Sequence, residues 1–139
     1  MNDYILVSAP NVQGEDFIKQ LQHRRIPFAT MVNNKAEYER MLELHVSTII
    51  VISTNDEATW RVPELPIGRI FLFERSLNLC CRYIQICRSW TSKSICVVTD
   101  STNPRLIYKG MGANYVVHSS SGETSFLISN DFMTDSQNG

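Results

Sequence analysis

Residues 94–118, SICVVTDSTNPRLIYKGMGANYVVH, follow the order strand, helix, strand. Ser94–Thr99 and Tyr115–His118 are apolar and rich in β-branched residues, so both are predicted strands. Pro104–Met111 between them is predicted to be a short helix. Two strands joined by a helical crossover lie parallel in one sheet, which makes this stretch a βαβ unit.

The same alternation fills the rest of the chain. Apolar runs and helix-type spacing predict four further strands and three further helices. The strands are Tyr4–Ser8, Phe28–Val32, Thr48–Ser53 and Arg69–Phe73, and the helices are Glu15–Arg25, Lys35–Leu44 and Leu77–Trp90. Thr48–Ser53 (TIIVIS) is the most continuous apolar run and is therefore predicted to be a buried central strand. Thr54–Pro66 contains two prolines and is predicted to be an irregular crossover with at most one helical turn.

Six strands with helical crossovers predict an α/β fold of the Rossmann-like type. The expected sheet is doubly wound and mainly parallel, with helices on both faces, and a five-stranded flavodoxin-like sheet is the alternative. The length of 139 residues fits one domain, assigned to residues 1–129. The polar stretch 130–139, NDFMTDSQNG, is predicted to be a disordered tail.

Composition excludes several classes of protein. Thirteen Lys and Arg against fourteen Asp and Glu give a net charge of -1, without the basic face that nucleic-acid binding needs. No apolar run reaches the roughly 18 residues of a membrane span, and no secretory signal pattern is present at the N-terminus. The sequence therefore predicts a cytoplasmic protein that neither binds nucleic acid nor inserts directly into a membrane.

The four cysteines are predicted to be reduced and structural. Cys80, Cys81, Cys87 and Cys96 form no C-x-x-C pair, and the three histidines lie far from them in sequence. Zinc ligands would need a closer spacing, so no metal site is expected.

Ligands of such sheets bind outside the carboxyl ends of the strands, near the point where the strand order reverses. The loops that follow the first four predicted strands therefore supply the candidate binding residues. They are Ser8, Pro10, Asn11, Asn33, Asn34, Ser53, Glu74 and Asn78.

Two motifs resemble the N-terminal domain of potassium-conductance regulators, the RCK or TrkA-N family. FERSLNLCCRYIQICRSW (residues 73–90) places Asn78 where the family has an Asn that opens a helix, and Gly112-Ala113 come just before the last strand, as in the family. The resemblance covers about residues 4–120. It implies a regulatory, nucleotide-sensing Rossmann domain that assembles as a homodimer or higher oligomer beneath a membrane transporter or channel subunit.

The first turn departs from the dinucleotide fingerprint G-x-G-x-x-G. In one register Ser8, Pro10 and Gln13 replace all three glycines; in the other, Ala9 and Asn11 replace two and Gly14 remains. Pro10 lacks a backbone N–H, and Glu15 and Asp16 add negative charge where a pyrophosphate would bind.

The acidic residue that the family has after strand two, which would bind a ribose, is Asn33 or Asn34 here. We therefore expect that ordinary NAD binding is lost. The identity of any cofactor stays open, with an adenine nucleotide as one candidate.

No catalytic constellation is predicted. Ser8, Ser53 and Thr99 are not joined by any signature to a histidine and a carboxylate, and His118 is expected to be solvated or at the edge of the core. The acids Asp56, Glu74 and Asp100 each follow a predicted strand and are expected to cap the next helix rather than to bind Mg²⁺. The predicted function is that of a non-catalytic regulatory or interaction domain.

A second resemblance gives the alternative. Residues 94–121 are similar to the last part of a response-regulator receiver, with Thr99 at the position of the switch Thr and His118 where that family has a Lys. Ser53 then stands where the phospho-acceptor Asp would be. On this interpretation the chain would be a pseudo-receiver that cannot accept phosphate.

Overall fold

A wholly parallel six-stranded sheet forms the centre of the computed structural model, which describes residues 3–101, 105–119 and 123–128. The strands are β1 (Tyr4–Ser8), β2 (Phe28–Val32), β3 (Ile49–Val51), β4 (Ile67–Phe73), β5 (Ile95–Thr99) and β6 (Tyr115–His118). Their order is β3-β2-β1-β4-β5-β6. This is the Rossmann order and not the flavodoxin-like order that a receiver would have. The predicted fold class is confirmed.

Within the described residues, four helices cover the two faces of the sheet. They are α1 (Val12–His23), α2 (Lys35–Glu43), α3 (Leu77–Cys87) and α4 (Arg105–Met111). The core between α1, α2 and the sheet contains the fully buried Phe17, Ile18 and Leu21, and the opposite core lies under α3 and α4. The helix that follows β1 and the helix that follows β4 therefore lie on opposite faces, which opens a crevice between these two adjacent strands.

The prediction that Thr48–Ser53 is a central strand is wrong. Only Ile49–Val51 form β3, which pairs with β2 alone at one edge of the sheet, and the Val51 side chain is 57% exposed. The continuous apolar run resembles a strand buried on both faces, but the order of strands is not encoded in the run itself. A short edge strand also limits pairing with other chains.

Other boundaries differ by smaller amounts. Helix α1 begins at Val12 rather than Glu15, because Asn11 caps it, and α3 ends at Cys87 and continues as the 3₁₀ turn Arg88–Trp90. The crossover after β3 contains one 3₁₀ turn, Glu57–Thr59, as predicted. The predicted tail at residues 130–139 lies outside the described residues.

Helices α1 and α2 end in the same way. At the end of α2, His45 has φ 62°, its N–H bonds to the carbonyl of Leu42, and the N–H of Val46 bonds to the carbonyl of Met41. These two bonds define a Schellman motif, in which the left-handed residue is usually glycine. Arg25, with φ 57°, holds the same position after α1.

We expect His45→Gly to raise the free energy of unfolding by about 0.5–1 kcal/mol, because glycine adopts the left-handed conformation without strain. Ala36→Gly, on the exposed surface of α2, is the control and should lower it by about 1 kcal/mol. Urea titration monitored by circular dichroism measures both changes. A destabilised His45→Gly protein would mean that the histidine side chain makes a compensating contact.

All four cysteines are free thiols, as predicted, and three of them are buried. Burial raises the pKa of Cys80 and of Cys96 to about 12, and raises that of Cys87 as well. Cys81 is half-buried, and burial together with the nearby Glu74 raises its pKa to a smaller extent.

We expect a thiol-specific reagent at pH 8 to label Cys81 first, since the thiolate is the reactive species and must be accessible. The other three thiols should react only after unfolding. Peptide mapping after a short pulse of iodoacetamide identifies the labelled residue. Cys81→Ser is the control, and the folded protein with this substitution should not be labelled during the pulse. Equal labelling of all four thiols would contradict this burial pattern.

Candidate functional site

The loops that follow β1 and β4 face each other at the carboxyl edge of the sheet. These two strands are hydrogen-bonded neighbours, from Leu6 beside Ile70 to Ser8 beside Leu72, and their crossovers leave in opposite directions. This is the point at which a Rossmann sheet binds its ligand. The first-loop residues Pro10 and Asn11 and the β4-loop residue Glu74 meet here.

Gly14 decides how the first turn aligns with the fingerprint G-x-G-x-x-G. A Cβ atom on Gly14 would lie 2.6 Å from the Cα atom and 2.7 Å from the Cβ atom of Ala9, so only glycine allows α1 to pack this close to β1. That is the task of the third glycine in the fingerprint. Ala9 and Asn11 therefore occupy the first two glycine positions, and the register that starts at Ser8 is excluded.

Asn11 stands at the position of the second glycine, which the fingerprint uses so that the backbone can approach a pyrophosphate. Its Oδ1 accepts a hydrogen bond from the Gly14 N–H at 2.8 Å, and its Nδ2 donates to the carbonyl oxygen of Glu74 at 3.1 Å. The side chain thus caps α1 and bridges the β1 and β4 loops across the crevice. Pro10 precedes it and contributes no N–H donor.

The two acids that follow Gly14 are held by other parts of the chain. Both carboxylate oxygens of Glu15 accept from the guanidinium of Arg40 on α2, at 2.8 and 3.0 Å, and this hydrogen bonding lowers the pKa of Glu15. Asp16 Oδ2 accepts from the hydroxyl of Thr124 at 2.7 Å, just before the 3₁₀ turn Ser125–Ile128. Both acids lie in α1 directly after the first loop.

Beyond β2 the edge opens into a depression of about 440 Å³. It is lined by Asn33, Asn34, Lys35, Tyr38 and Val51. Asn34 is the N-cap of α2: its Oδ1 accepts from the Glu37 N–H at 2.8 Å, and its Nδ2 donates to the Asn33 side chain at 2.9 Å. The two asparagines supply amide groups where the family pattern has an acid.

An ion pair lies across the same edge. The Arg75 guanidinium in the loop after β4 is 3.7 Å from the carboxylate of Glu37 on α2. Side chains therefore span the edge from Asn11 to Glu74 and from Arg75 to Glu37.

Glu74 was expected to cap the helix after β4, and that expectation is wrong. Ser76 caps α3, and its side chain accepts from the Leu79 N–H. The Glu74 carboxylate instead accepts hydrogen bonds from the hydroxyls of Thr99 at 2.5 Å and of Tyr108, a fully buried residue of α4. Burial and the bond to Glu74 raise the pKa of Tyr108. Glu74 thus ties α4 to the carboxyl edge.

This network was missed because Tyr108 lies in a predicted helix, with no sequence signal that links it to an acid on another strand. An acid placed directly after a central strand was the only hint.

Three further candidates do not take part in the bridge between Asn11 and Glu74. Ser8 is only 3% exposed and is closed to a ligand, and Asn78 is exposed in the first turn of α3 without capping it. Ser53 lies beyond β3, where its N–H bonds to the Thr59 hydroxyl and its carbonyl accepts from the Trp60 indole at 2.7 Å. Ser53 therefore stabilises the turn Glu57–Thr59, and strand β2 separates it from β1.

The remaining acids and His118 have local roles. Asp56 caps the turn Glu57–Thr59, as expected, and a ring nitrogen of His118 lies 3.0 Å from the carbonyl oxygen of Asp100. Within residues 3–101, 105–119 and 123–128, no group of three or more His, Cys, Asp or Glu side chains could hold a metal ion. No helix in these ranges is long and apolar enough to cross a membrane.

Comparison with known proteins identifies the fold. No family model and no curated protein matches the sequence. The structure is similar to the TrkA-N domain of the inner membrane protein ybaL from Escherichia coli, with 17% identity and a TM-score of 0.66, covering 85% of this chain and 87% of that one. It is similar to the NAD(P)-binding domain of an exopolyphosphatase-related protein from Archaeoglobus fulgidus, with 15% identity, a TM-score of 0.68 and full coverage of both chains.

The GsuK RCK domain is a third similar structure, with 19% identity and a TM-score of 0.66. The match covers 84% of this chain and 26% of that one, so this chain spans little more than a quarter of the GsuK chain. GsuK structures bound to NAD and to ADP match as well. The chain shares the Rossmann fold of these RCK and TrkA-N domains, the fold that the resemblance implied.

Proposed function

We propose that this chain is a non-catalytic regulatory domain that does not bind NAD in the ordinary Rossmann manner and acts through contacts with other proteins. The observation that carries the proposal is the Asn11 side chain at the second glycine position, which bonds to both Gly14 and Glu74. A dinucleotide would have to displace this side chain and then meet the charges of Glu15 and Asp16.

The similar structures support the regulatory part of the proposal. They include domains of a potassium-regulator type and of an inner membrane protein, and some of them carry nucleotides. By analogy, the partner of this domain would be a transporter or channel subunit, and the domain would work as a homodimer or higher oligomer. Ligand or partner binding would act by favouring one of two subunit arrangements.

The test is a thermal-shift panel with NAD⁺, NADH, ADP, ATP and AMP on three proteins. We expect no shift of the wild-type midpoint with NAD⁺ or NADH. Asn11→Gly should gain a shift of several degrees, since a ligand at about a hundred times its Kd adds about 2.7 kcal/mol of stability. Asn34→Gly, which changes the N-cap of α2 in the same way, is the matched control, and its midpoint should not shift with NAD⁺ or NADH.

Two outcomes would contradict these assignments. A wild-type midpoint that rises with NAD⁺ would refute the loss of dinucleotide binding. An Asn11→Gly protein that stays silent with NAD⁺ and NADH would refute the role given to the Asn11 side chain.

The depression beside β2 favours one second candidate, a sensor of a mononucleotide. Its volume of about 440 Å³, the amides of Asn33 and Asn34 and the ring of Tyr38 suit an adenosine group that does not need the first loop. In this case AMP alone would stabilise the wild type, and Tyr38→Ala would remove the effect.

A further inference from the structure

The two ends of the sheet carry exposed apolar side chains. At the β6 end, Leu106, Ile107 and Met111 project from α4, and Leu106 is 82% exposed; we name this the α4 face. At the β3 end, Tyr38 and Leu42 of α2 and the 57% exposed Val51 of β3 form the β3-end face. Monomeric proteins seldom expose apolar groups of this size in clusters, and such clusters mark interaction surfaces.

The shapes of the two faces are complementary. Leu106 stands out from the α4 surface, whereas the β3-end face borders the depression of about 440 Å³ with Tyr38 and Val51 in its wall. An exposed apolar side chain of one molecule can enter a pre-existing apolar pocket on another part of its neighbour, and such a contact joins different surfaces of the two copies.

The charges of the two faces are complementary as well. Helix α4 carries Arg105 and Lys109 and no acid, whereas α2 carries three glutamates against two basic residues, Lys35 and Arg40. Lys35 lies in the wall of the depression. Glu37 and Glu43 pair with Arg75 and Arg40, but Glu39 has no ion pair in the described ranges of the chain. Lys109 of α4 likewise has none there. A basic rim around one apolar face thus matches a free carboxylate beside the other.

We infer that the α4 face of one copy of this chain docks on the β3-end face of a second copy, with Leu106 in the depression beside Tyr38 and Val51 and with Lys109 near Glu39. The two faces lie at opposite edges of the sheet. Each copy therefore keeps one face free after pairing, and the contact repeats head to tail into a ring or an open chain. This names a partner for the interaction domain proposed above; its surfaces lie outside the crevice between β1 and β4 but include the depression beside β2.

The experiment uses two blocked variants and a control. Leu106→Asp blocks the α4 face, Val51→Asp blocks the β3-end face, and Val12→Asp changes a 78% exposed valine that belongs to neither face. Light scattering across concentrations should show the mass of the wild type and of Val12→Asp rising above the 15.9 kDa of one chain. Each blocked variant alone should stay at that mass. Tyr38→Asp replaces Val51→Asp if that variant fails to fold.

Mixing is the decisive step. Leu106→Asp and Val51→Asp each retain the face that the other lacks, so an equimolar mixture should form a dimer of one copy of each and nothing larger. A mixture that stays monomeric, or a wild type that stays monomeric at millimolar concentration, would overturn the inference. Light scattering without nucleotide reports on these faces alone. The thermal-shift panel repeated on Leu106→Asp, in which no copy covers the depression, reports on nucleotide binding alone, so failure of this inference and failure of the proposed function are distinguishable.

A charge exchange tests the orientation. Lys109→Glu should weaken association at least tenfold, and the double variant Lys109→Glu/Glu39→Lys should restore it. Equal association of wild type and Lys109→Glu would overturn the placement of Lys109 near Glu39.

Discussion

Gly14→Ala should lower the free energy of unfolding by about 3 kcal/mol, the largest effect that we expect from a single methyl group in this domain. The added carbon would lie 2.6 Å from the Cα atom of Ala9, and backbone cannot swing aside as the end of a side chain can. Helix α1 would have to move away from β1. That movement would loosen Phe17, Ile18 and Leu21, which are fully buried beneath it.

Gly110→Ala is the matched control for this substitution. Gly110 lies within α4, and a Cβ atom there would meet no atom within 4 Å. Alanine should therefore raise the free energy of unfolding by about 0.5–1 kcal/mol, since glycine is unfavourable inside a helix. Urea titration of both variants measures the difference. Equal changes in the free energy of unfolding of the two proteins would show that α1 can shift at no cost. Gly14 would then not be needed as the third glycine of the fingerprint.

Arg88→Ala should lower the free energy of unfolding by a similar amount, about 3 kcal/mol. The half-buried guanidinium donates to the carbonyl oxygens of Gly112, Lys93 and Thr91, at 2.7, 2.8 and 3.2 Å, and to the side chain of Asn114 at 3.0 Å. It joins the end of α3 to the segments that lead into β5 and β6. Alanine leaves these carbonyls without their donor.

Arg88→Lys distinguishes the effect of the positive charge from that of the hydrogen bonds made by the guanidinium. A lysine keeps the positive charge but cannot present the planar fork that reaches all four acceptors, so we expect it to recover less than half of the loss. Thermal and urea unfolding of the three proteins measures this. Full recovery by lysine would mean that the charge at the end of α3 matters and the individual hydrogen bonds do not.

The fold could be predicted because the information for it is local. Apolar runs and helix-type spacing located all six strands, and the bounds of β1, β2 and β6 agree with the structure. Strand order is a property of the whole chain, and for that reason TIIVIS was placed at the centre although β3 lies at the edge. Val51 is 57% exposed, but nothing in the sequence distinguishes it from a buried valine.

The candidate site was predictable only in part. The positions of Asn11 and Asn34 followed from the loops after β1 and β2, and both prove to be helix caps. What Asn11 bonds to across the crevice depends on the distance between two loops, which the sequence does not contain. The bond between Tyr108 and Glu74 joins two elements far apart in the chain and left no local pattern.

The pairing of β1 with β4 has a consequence for how the chain folds. Leu6 lies beside Ile70, so the central contact of the sheet closes a long loop, whereas each other pair joins strands that are consecutive in sequence. Contacts between distant residues are reached slowly, because the entropy of loop closure must be overcome first. During synthesis on the ribosome, β1, β2 and β3 emerge before β4, and the inner edge of β1 waits unpaired for its neighbour. Refolding rates should therefore respond most strongly to substitutions that change the contact between β1 and β4.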